Sequence, residues 1–194
     1  MIRRISITGP ESTGKSTLAQ QIAERYHTVF VPEVARSYLD SLGRHYCYDD
    51  LAVISRHQYR LEQQWARKAN RFLFCDSDFL VLKIWSLDKY GRCDPSILER
   101  VERHRYDLYL LMDIDLPWEP DSQREDPHRR EYLFAWYRSE LERLGVEFEV
   151  VSGMQGERVE RAVWIVNDKF QIPVQPPSQP PPIRGEEQCL LPTA

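Results

Sequence analysis

Residues 9–17 of the chain read GPESTGKST, a complete match to the pattern G-x-x-x-x-G-K-[ST]. The match follows a short apolar run, Arg4–Thr8, and precedes a segment with apolar residues at helical spacing, 18–26. The glycines at positions 9 and 14 allow backbone angles that side chains forbid, so consecutive N–H groups can turn inward around an anion. A strand, this loop and a helix in that order predict a site for the phosphates of a nucleoside triphosphate.

Two side chains of the loop predict how a triphosphate and its metal ion would be held. Lys15 is long enough to reach the β- and γ-phosphates, and the hydroxyl of Ser16 is a suitable ligand for Mg²⁺. The helix that begins here presents its positive N-terminal end to the same anion. The predicted cofactor-binding residues are Gly9, Glu11, Ser12, Thr13, Gly14, Lys15, Ser16 and Thr17.

The size and charge of the chain exclude several classes of protein. Its 194 residues suit one globular domain, and the 42% hydrophobic content supports a packed core. With 26 Lys and Arg against 30 Asp and Glu, the net charge of −4 argues against a nucleic-acid partner bound through a broad basic face. No apolar run approaches the roughly 20 residues that cross a bilayer, and no secretory signal opens the chain. We therefore expect no membrane partner and a cytoplasmic location, and leave the oligomeric state open.

The composition changes near the end of the chain. Seven of the 13 prolines lie after residue 172, in a stretch that includes PPSQPPP at 176–182. Proline lacks the N–H group that helices and sheets require. We therefore divide the chain into a folded domain over 1–171 and a proline-rich tail over 172–194, which we expect to be extended or disordered.

Five short apolar runs in the domain predict buried strands. Their near-continuous hydrophobicity is typical of parallel strands that are covered on both faces. Longer segments with apolar residues at helical spacing separate them, among them 61–69 and 159–166. The alternation predicts an α/β fold of three layers, with a five-stranded parallel sheet between helices and a ligand site at the carboxyl ends of the strands. The predicted strands are Arg4–Thr8, Thr28–Val31, Phe72–Asp76, Leu108–Asp113 and Glu147–Val151.

Two carboxylates follow the third predicted strand. Asp76 ends the strand, where P-loop proteins place a carboxylate that holds Mg²⁺ directly or through water. We predict that Asp76 serves this metal ion and assists catalysis. Asp78 either contributes to substrate binding or caps the helix that follows, because aspartate is a common N-cap residue.

Glu33 follows the second predicted strand and therefore lies at the rim of the same crevice. A kinase for small molecules needs a carboxylate there to accept or orient the proton of the acceptor hydroxyl. Arg36 lies one helical turn further on, where it would bind the acceptor or a phosphate oxygen. The alternative is a surface Glu–Arg pair, worth about a few tenths of a kcal/mol.

The polar segment after the fourth predicted strand, 113–130, has the composition of a lid. Its arginines would close over the polyphosphate and neutralise charge that develops during transfer. Arg124 is the best candidate, followed by Arg129 and Arg130, and a solvated charged loop is the simpler alternative. Trp118 in the same segment is the preferred aromatic contact for a flat acceptor base. Other aromatic residues close to predicted strand ends are Tyr38, Tyr46, Trp85 and Tyr90.

Four motifs together resemble the ribosylnicotinamide kinase domain of the bacterial NadR family. They are GPESTGKST at 9–17, EVAR at 33–36, FCDSD at 74–78 and the pattern D-x-x-x-x-W-x-x-D-x-x-R at 113–124. The resemblance covers about residues 1–168, and the last pattern is its most specific part. It implies a three-layer P-loop NTPase fold of the kinase type. It also implies transfer of the ATP γ-phosphate, with Mg²⁺, to the 5′-hydroxyl of nicotinamide riboside, giving nicotinamide mononucleotide.

The resemblance also implies roles for single residues. Lys15 and Ser16 would hold ATP and Mg²⁺, and Trp118 would lie near the nicotinamide or the ribose. The helix-turn-helix and adenylyltransferase domains of full-length NadR are not expected before a phosphate loop that begins at Gly9. The predicted catalytic residues are Lys15, Glu33, Asp76 and Arg124, the metal ligands are Ser16 and Asp76, and the substrate-binding residues are Glu33, Arg36, Asp78 and Trp118.

Two other functions stay open at this level. The chain would phosphorylate another nucleoside or a nucleoside monophosphate, or it would be a nucleotide-dependent regulatory ATPase whose tail binds a partner. A nucleoside monophosphate carries a charged phosphate group and requires extra cationic contacts, whereas a nucleoside does not. The charge of the acceptor site therefore distinguishes these two acceptors.

Overall fold

The computed structural model describes residues 1–121, 123, 128–154 and 156–173. Within this part, strands and helices alternate along the chain. The strands are β1 (Arg3–Thr8), β2 (Phe30–Val31), β3 (Phe72–Asp76), β4 (Leu108–Met112) and β5 (Phe148–Val151). The helices are α1 (Lys15–Arg25), α2 (Val34–Ser41), α3 (Tyr48–Ala66), α4 (Phe79–Tyr90), α5 (Pro95–Arg103), α6 (Arg130–Leu144) and α7 (Gly156–Lys169).

The five strands form one sheet in the order β2-β3-β1-β4-β5, and every neighbouring pair is parallel. β1 lies in the centre, with Ile7 opposite Asp76 of β3 and Thr8 opposite Leu111 of β4. The loop after β1 therefore leaves the middle of the sheet at its carboxyl edge. Ligands bind at this edge in open parallel sheets.

Two apolar cores cover the two faces of the sheet, because successive side chains of a strand point to opposite sides. Phe72 and Phe74 of β3 belong to the core formed with α1 and α7. Leu73 and Cys75 of the same strand belong to the core formed with helices that include α3 and α4. The predicted three-layer α/β fold with a five-stranded parallel sheet is confirmed.

The strand boundaries differ from the predicted ones chiefly at β2, which begins at Phe30 instead of Thr28. The N–H of Thr28 donates to the carbonyl of Ala23 at 3.0 Å and its hydroxyl to the carbonyl of Phe72 at 2.7 Å. Residue 28 thus completes the turn after α1 before the chain joins the sheet edge. Residues 174–194, most of the predicted tail, lie outside the described residues, so the domain boundary stays a prediction.

Candidate active site

The phosphate loop packs against the neighbouring strand at its first glycine. Gly9 has a φ of +128°, and a Cβ atom at this position would lie 3.1 Å from the carbonyl oxygen of Met112. Gly14 has a φ of +78° and stands immediately before α1, where its carbonyl accepts the first helical hydrogen bond, from Leu18, at 3.0 Å. Both positions therefore require glycine, one for space and backbone angle and the other for backbone angle.

The side chain of Lys15 lies across the loop it follows. Its Nζ donates to the carbonyls of Gly9 at 3.0 Å and Pro10 at 2.7 Å, while the hydroxyl of Thr13 donates to Pro10 at 2.8 Å. The ammonium group is held among the loop residues, where it would neutralise an anion bound by the loop.

Asp76 lies at the end of β3, beside the phosphate loop and almost completely buried. Its Oδ1 has no hydrogen-bond partner among the described residues, and the hydroxyl group of Ser16 lies nearby. Burial, followed by the negative charge of Glu33, raises the pKa of Asp76 to about 6, against the opposing effects of Ser16 and Lys15. An unsatisfied buried carboxylate oxygen next to a hydroxyl fits an oxygen-coordinated divalent cation such as Mg²⁺.

The described residues contain no cluster of three or more His, Cys, Asp or Glu side chains that could hold a metal ion. Mg²⁺ is usually bound by one or two carboxylates together with substrate phosphates and water. The pair of Ser16 and Asp76 is consistent with that mode, in which a nucleotide completes the coordination.

Glu33 stands between β2 and α2, half-buried at the edge of the cleft. Ser77, the residue after β3, donates a hydrogen bond from its hydroxyl to Oε1 of Glu33 at 3.2 Å. Ser77 has a φ of +67°, and its N–H donates to the carbonyl of Ile7 at 3.1 Å. The sequence prediction gave Ser77 no role, although a hydroxyl between two acidic residues after a strand was a visible signal.

Asp78 takes the second of its two predicted roles. It is 2% exposed, and its carboxylate accepts hydrogen bonds from the hydroxyl of Ser6 at 2.6 Å and from the N–H of Val81 at 3.0 Å. These contacts cap α4 and fix it to β1. Burial raises the pKa of Asp78. Asp78 is not among the residues that line the cleft, so its part in substrate binding stays a prediction without support from a contact.

A cleft of about 750 Å³ lies against the phosphate loop. Its wall includes all residues from 9 to 17, together with Glu33 and Arg36. Tyr46 and Trp85 also line it, with ring centroids 4.9 Å apart in an edge-to-face arrangement and a hydrogen bond of 2.9 Å from Trp85 Nε1 to Tyr46 Oη. The preferred aromatic residue of the sequence prediction, Trp118, is half-buried and does not line the cleft.

Three arginines in the wall of the cleft are bound to carboxylates. The bonds hold positive charge at fixed positions without leaving a large net charge around the cleft. The pairs are Arg36 with Asp121 at 2.9 Å, Arg44 with Asp50 at 2.8 Å, and Arg129 with Asp88 at 2.9 and 2.5 Å.

The arginines predicted to form a lid are placed differently from one another. Arg124, the preferred candidate, lies outside the described residues, so its role stays a prediction. Arg129 lines the cleft. Arg130 is buried and donates to the carbonyls of Leu116 at 2.9 Å and Ser12 at 3.3 Å, so its guanidinium supports the base of the phosphate loop.

The sequence prediction missed Arg158 entirely. This residue of α7 is buried and donates to the carbonyl of Thr13 at 2.6 Å. An arginine on a helix that also carries Arg161 and an apolar stripe gives no sign of such a contact.

In the described part of the chain, no helix has the length and apolar character needed to cross a bilayer.

Among curated proteins, the trifunctional NAD biosynthesis/regulator protein NadR of Salmonella typhimurium is 30% identical over 130 residues, as is the NadR protein of Escherichia coli. In each comparison the aligned part is 63% of this chain and 31% of the relative, so the chain spans about a third of the relatives' length.

Solved structures share the fold over most of the chain. A NadR protein in complex with NR superposes with a TM-score of 0.74 at 20% identity, covering 91% of this chain and 54% of that one. A NadR protein in complex with NAD and AMP-PNP gives 0.73 at 19% identity, covering 90% and 51%. Thymidylate kinase from Candida albicans gives 0.53 at 16% identity, covering 88% and 92%. The P-loop kinase fold and the resemblance to NadR are both confirmed.

A family model supports the same assignment at the level of sequence. The model AAA_28, described as an AAA domain, matches residues 4–160 and therefore takes in β1, the phosphate loop, Asp76 and the start of α7. The chain belongs to this AAA domain family.

Proposed function

We propose that the chain transfers the γ-phosphate of ATP to the 5′-hydroxyl of nicotinamide riboside, in the presence of Mg²⁺, and so forms nicotinamide mononucleotide. The observation that carries the proposal is a single cleft whose wall contains the complete phosphate loop, the carboxylate of Glu33 and the aromatic pair of Tyr46 and Trp85. Donor, base and acceptor contacts are thus available in one enclosed space.

The chemistry follows from the residues around that space. Glu33 takes the proton of the acceptor hydroxyl while the hydroxyl oxygen bonds to the γ-phosphorus and the bond from that phosphorus to the bridging oxygen of ADP breaks. Lys15 and the N–H groups of the phosphate loop neutralise the charge that remains on ADP. Ser16 and Asp76 would hold Mg²⁺, which would supply further neutralisation of negative charge on the phosphates.

The charges in the cleft favour a nucleoside over a nucleoside monophosphate as acceptor. A phosphate group on the acceptor needs cationic partners, and the arginines at 36, 44 and 129 are each bound to a carboxylate. A second phosphate there would compete with these carboxylates for the guanidinium groups. A nucleoside carries no such group.

The aromatic pair favours a flat acceptor ring. Trp85 offers a planar surface on which a ring can stack, and the positively charged ring of nicotinamide riboside would gain additional attraction from its π face. Nζ of Lys89 lies over the ring of Tyr46, 4.2 Å from its centroid. Asp40 also lines the cleft, and its carboxylate suits a cationic acceptor. A NadR protein crystallised with NR, which we take as nicotinamide riboside, supports the same choice.

The direct test measures ATP- and Mg²⁺-dependent phosphorylation of nicotinamide riboside, with cytidine, uridine, thymidine and thymidine monophosphate as competing acceptors. We expect turnover with nicotinamide riboside that is lost in Lys15→Ala. Turnover with another acceptor would keep the reaction and overturn the acceptor. Nucleotide binding or slow hydrolysis that no acceptor stimulates would favour a regulatory ATPase instead.

A further inference from the structure

Three loops at the carboxyl edge of the sheet meet at the guanidinium group of Arg158. Its Nη1 donates to the carbonyl of Thr13 in the phosphate loop at 2.6 Å, and its Nε donates to the carbonyl of Gly153 after β5 at 2.9 Å. Its Nη2 is bound to the carboxylate of Asp115 after β4. One side chain thus connects the chain segments that follow β1, β4 and β5.

The network around Arg158 is closed by a further bond. Asp115 also accepts a hydrogen bond from the N–H of Gly153 at 2.6 Å. The Arg158 side chain is 5% exposed and that of Asp115 32% exposed. A buried guanidinium is tolerable only when its charge and its N–H groups are satisfied, and this arrangement provides a carboxylate and two carbonyls.

A second arginine holds the adjacent carbonyl of the phosphate loop. Arg130 donates to Ser12 at 3.3 Å and to Ile114 at 3.2 Å. In a trans peptide the C=O and N–H groups point in opposite directions. When the carbonyls of Ser12 and Thr13 are held outward by arginines, the N–H groups of Thr13 and Gly14 are directed to the opposite side, where the loop binds an anion.

We propose that Arg158 is a positioning residue of the phosphate loop, which fixes the peptide between Thr13 and Gly14 in the orientation that binds nucleotide phosphate. The inference deepens the proposed function, since it specifies what prepares that site for its nucleotide. Through Asp115 and Gly153, the same residue also links the phosphate loop to the segments after β4 and β5. The role is distinct from catalysis, because Arg158 does not line the cleft.

The test compares Arg158→Gln, Arg158→Lys and Asp115→Asn with the wild-type chain. The probe is AMP-PNP with Mg²⁺, with its dissociation constant measured by calorimetry, and thermal unfolding is recorded without nucleotide. We expect Arg158→Gln to weaken AMP-PNP binding about 10- to 100-fold, since it removes a charge-assisted hydrogen bond to the loop. Arg158→Lys retains the charge and one donor and should recover part of the loss.

The kinetic readout separates positioning from a general loss of stability. The KM for ATP should rise in the three variants, while the KM for the acceptor should stay within about twofold of wild type. Arg138→Gln is the matched control, because Arg138 forms a surface pair with Glu142 at 3.0 Å on α6. It should leave both constants unchanged.

Several outcomes would overturn the inference. A folded Arg158→Gln that binds AMP-PNP as the wild type does would overturn it, as would equal rises in both KM values. If Arg158→Gln does not fold, the decision rests on Arg158→Lys, Asp115→Asn and the variant that carries both substitutions. The double variant should weaken AMP-PNP binding by less than the sum of the two single effects, expressed as free energies. Full additivity would contradict a shared network.

The outcome for Arg158 is separable from that of the proposed function. A wild-type chain that binds AMP-PNP but phosphorylates no acceptor would refute the kinase and leave the test of Arg158 intact. A wild-type chain that does not bind AMP-PNP at all would overturn both.

Discussion

The hydroxyl of Ser77 donates a hydrogen bond of 3.2 Å to Oε1 of Glu33 and so joins the residues that follow β3 and β2. Ser77 lies next to Asp76 in the chain. The hydrogen bond therefore fixes the position of Glu33, the proposed base, relative to Asp76, the carboxylate proposed for Mg²⁺. Ser77 makes this bond from a left-handed backbone conformation, which is uncommon for a residue other than glycine.

Replacing Glu33 with Gln should lower kcat about 10²- to 10⁴-fold, because the amide keeps the size of the side chain but cannot accept a proton. AMP-PNP binding should be unchanged, since Glu33 belongs to the acceptor step. Ser77→Ala provides the graded comparison and should cost less than Glu33→Gln. A Glu33→Gln enzyme with wild-type kcat for nicotinamide riboside would disprove the role of this carboxylate.

Asp76→Asn should stabilise the metal-free chain while abolishing Mg²⁺-dependent turnover. The folded-state pKa of Asp76, about 6, exceeds the ordinary value of 3.8, so the free energy of unfolding falls as pH rises from about 4 to about 6. Two pKa units correspond to at most about 3 kcal/mol. Denaturant unfolding with EDTA should therefore show a gain for Asp76→Asn near pH 8 that shrinks near pH 4.

The comparison variant for this prediction is Asp78→Ala. It removes the bonds to Ser6 and Val81 and should destabilise the chain by about 1–2 kcal/mol. Equal stability changes in the two variants would contradict the different surroundings of these two carboxylates.

Gly9→Ala should disrupt the phosphate loop, because the new Cβ would lie 3.1 Å from the backbone oxygen of Met112 and the φ of +128° is unfavourable for alanine. We expect nucleotide binding to be lost in a variant whose unfolding midpoint is also lowered. Gly91→Ala is the control, since Gly91 has a φ of +64° with nothing within 4 Å of a Cβ. It should lose about 1 kcal/mol of stability, the cost of a left-handed conformation for alanine, and retain AMP-PNP binding.

Asp50→Asn should destabilise the chain above about pH 4, where the carboxylate is charged. Hydrogen bonds from Arg44, together with those from Cys47 and Tyr38, hold the pKa of Asp50 well below its ordinary value. The contribution is therefore present above the unfolded pKa and is lost as pH falls through the folded pKa. Unfolding curves should show a difference of about 1–2 kcal/mol at pH 7 that narrows in acid. A difference that does not narrow as the pH falls below about 4 would argue against this charge.

Trp85→Leu should raise the KM for the acceptor about tenfold without changing the KM for ATP, because it removes one ring from the aromatic pair beside the cleft. Trp164→Leu is the control, since Trp164 is 53% exposed on α7 and outside the cleft. Steady-state kinetics with each substrate varied separately distinguish the two. Equal effects of both variants would contradict the assignment of Trp85.

The sheet and the phosphate loop were predictable because both are encoded locally. Apolar runs mark buried parallel strands, and the loop pattern specifies its backbone through Gly9 and Gly14. Glu33 and Asp76 were placed correctly at the carboxyl edge of the sheet for the same reason, since the end of a strand fixes where the next residue lies. Their chemical roles stay predictions.

The contacts that the sequence did not predict are long-range. Arg158 reaches Thr13 across 145 positions in the chain, and Tyr46 meets Trp85 across 39. No local pattern specifies such pairs, because they depend on how helices settle on the sheet. Trp118 was preferred over Trp85 for its position in a loop after a strand, whereas the wall of the cleft is formed in part by α4.

The cleft wall is drawn from several separate parts of the chain. The phosphate loop supplies one continuous segment, and α4 contributes Ile84, Trp85, Asp88 and Lys89 from adjacent positions on successive turns. Asp78 anchors the start of α4 to β1. Under the proposed function, substitutions on this face of α4 would change the acceptor preference, while the phosphate loop that holds the nucleotide would be inherited unchanged.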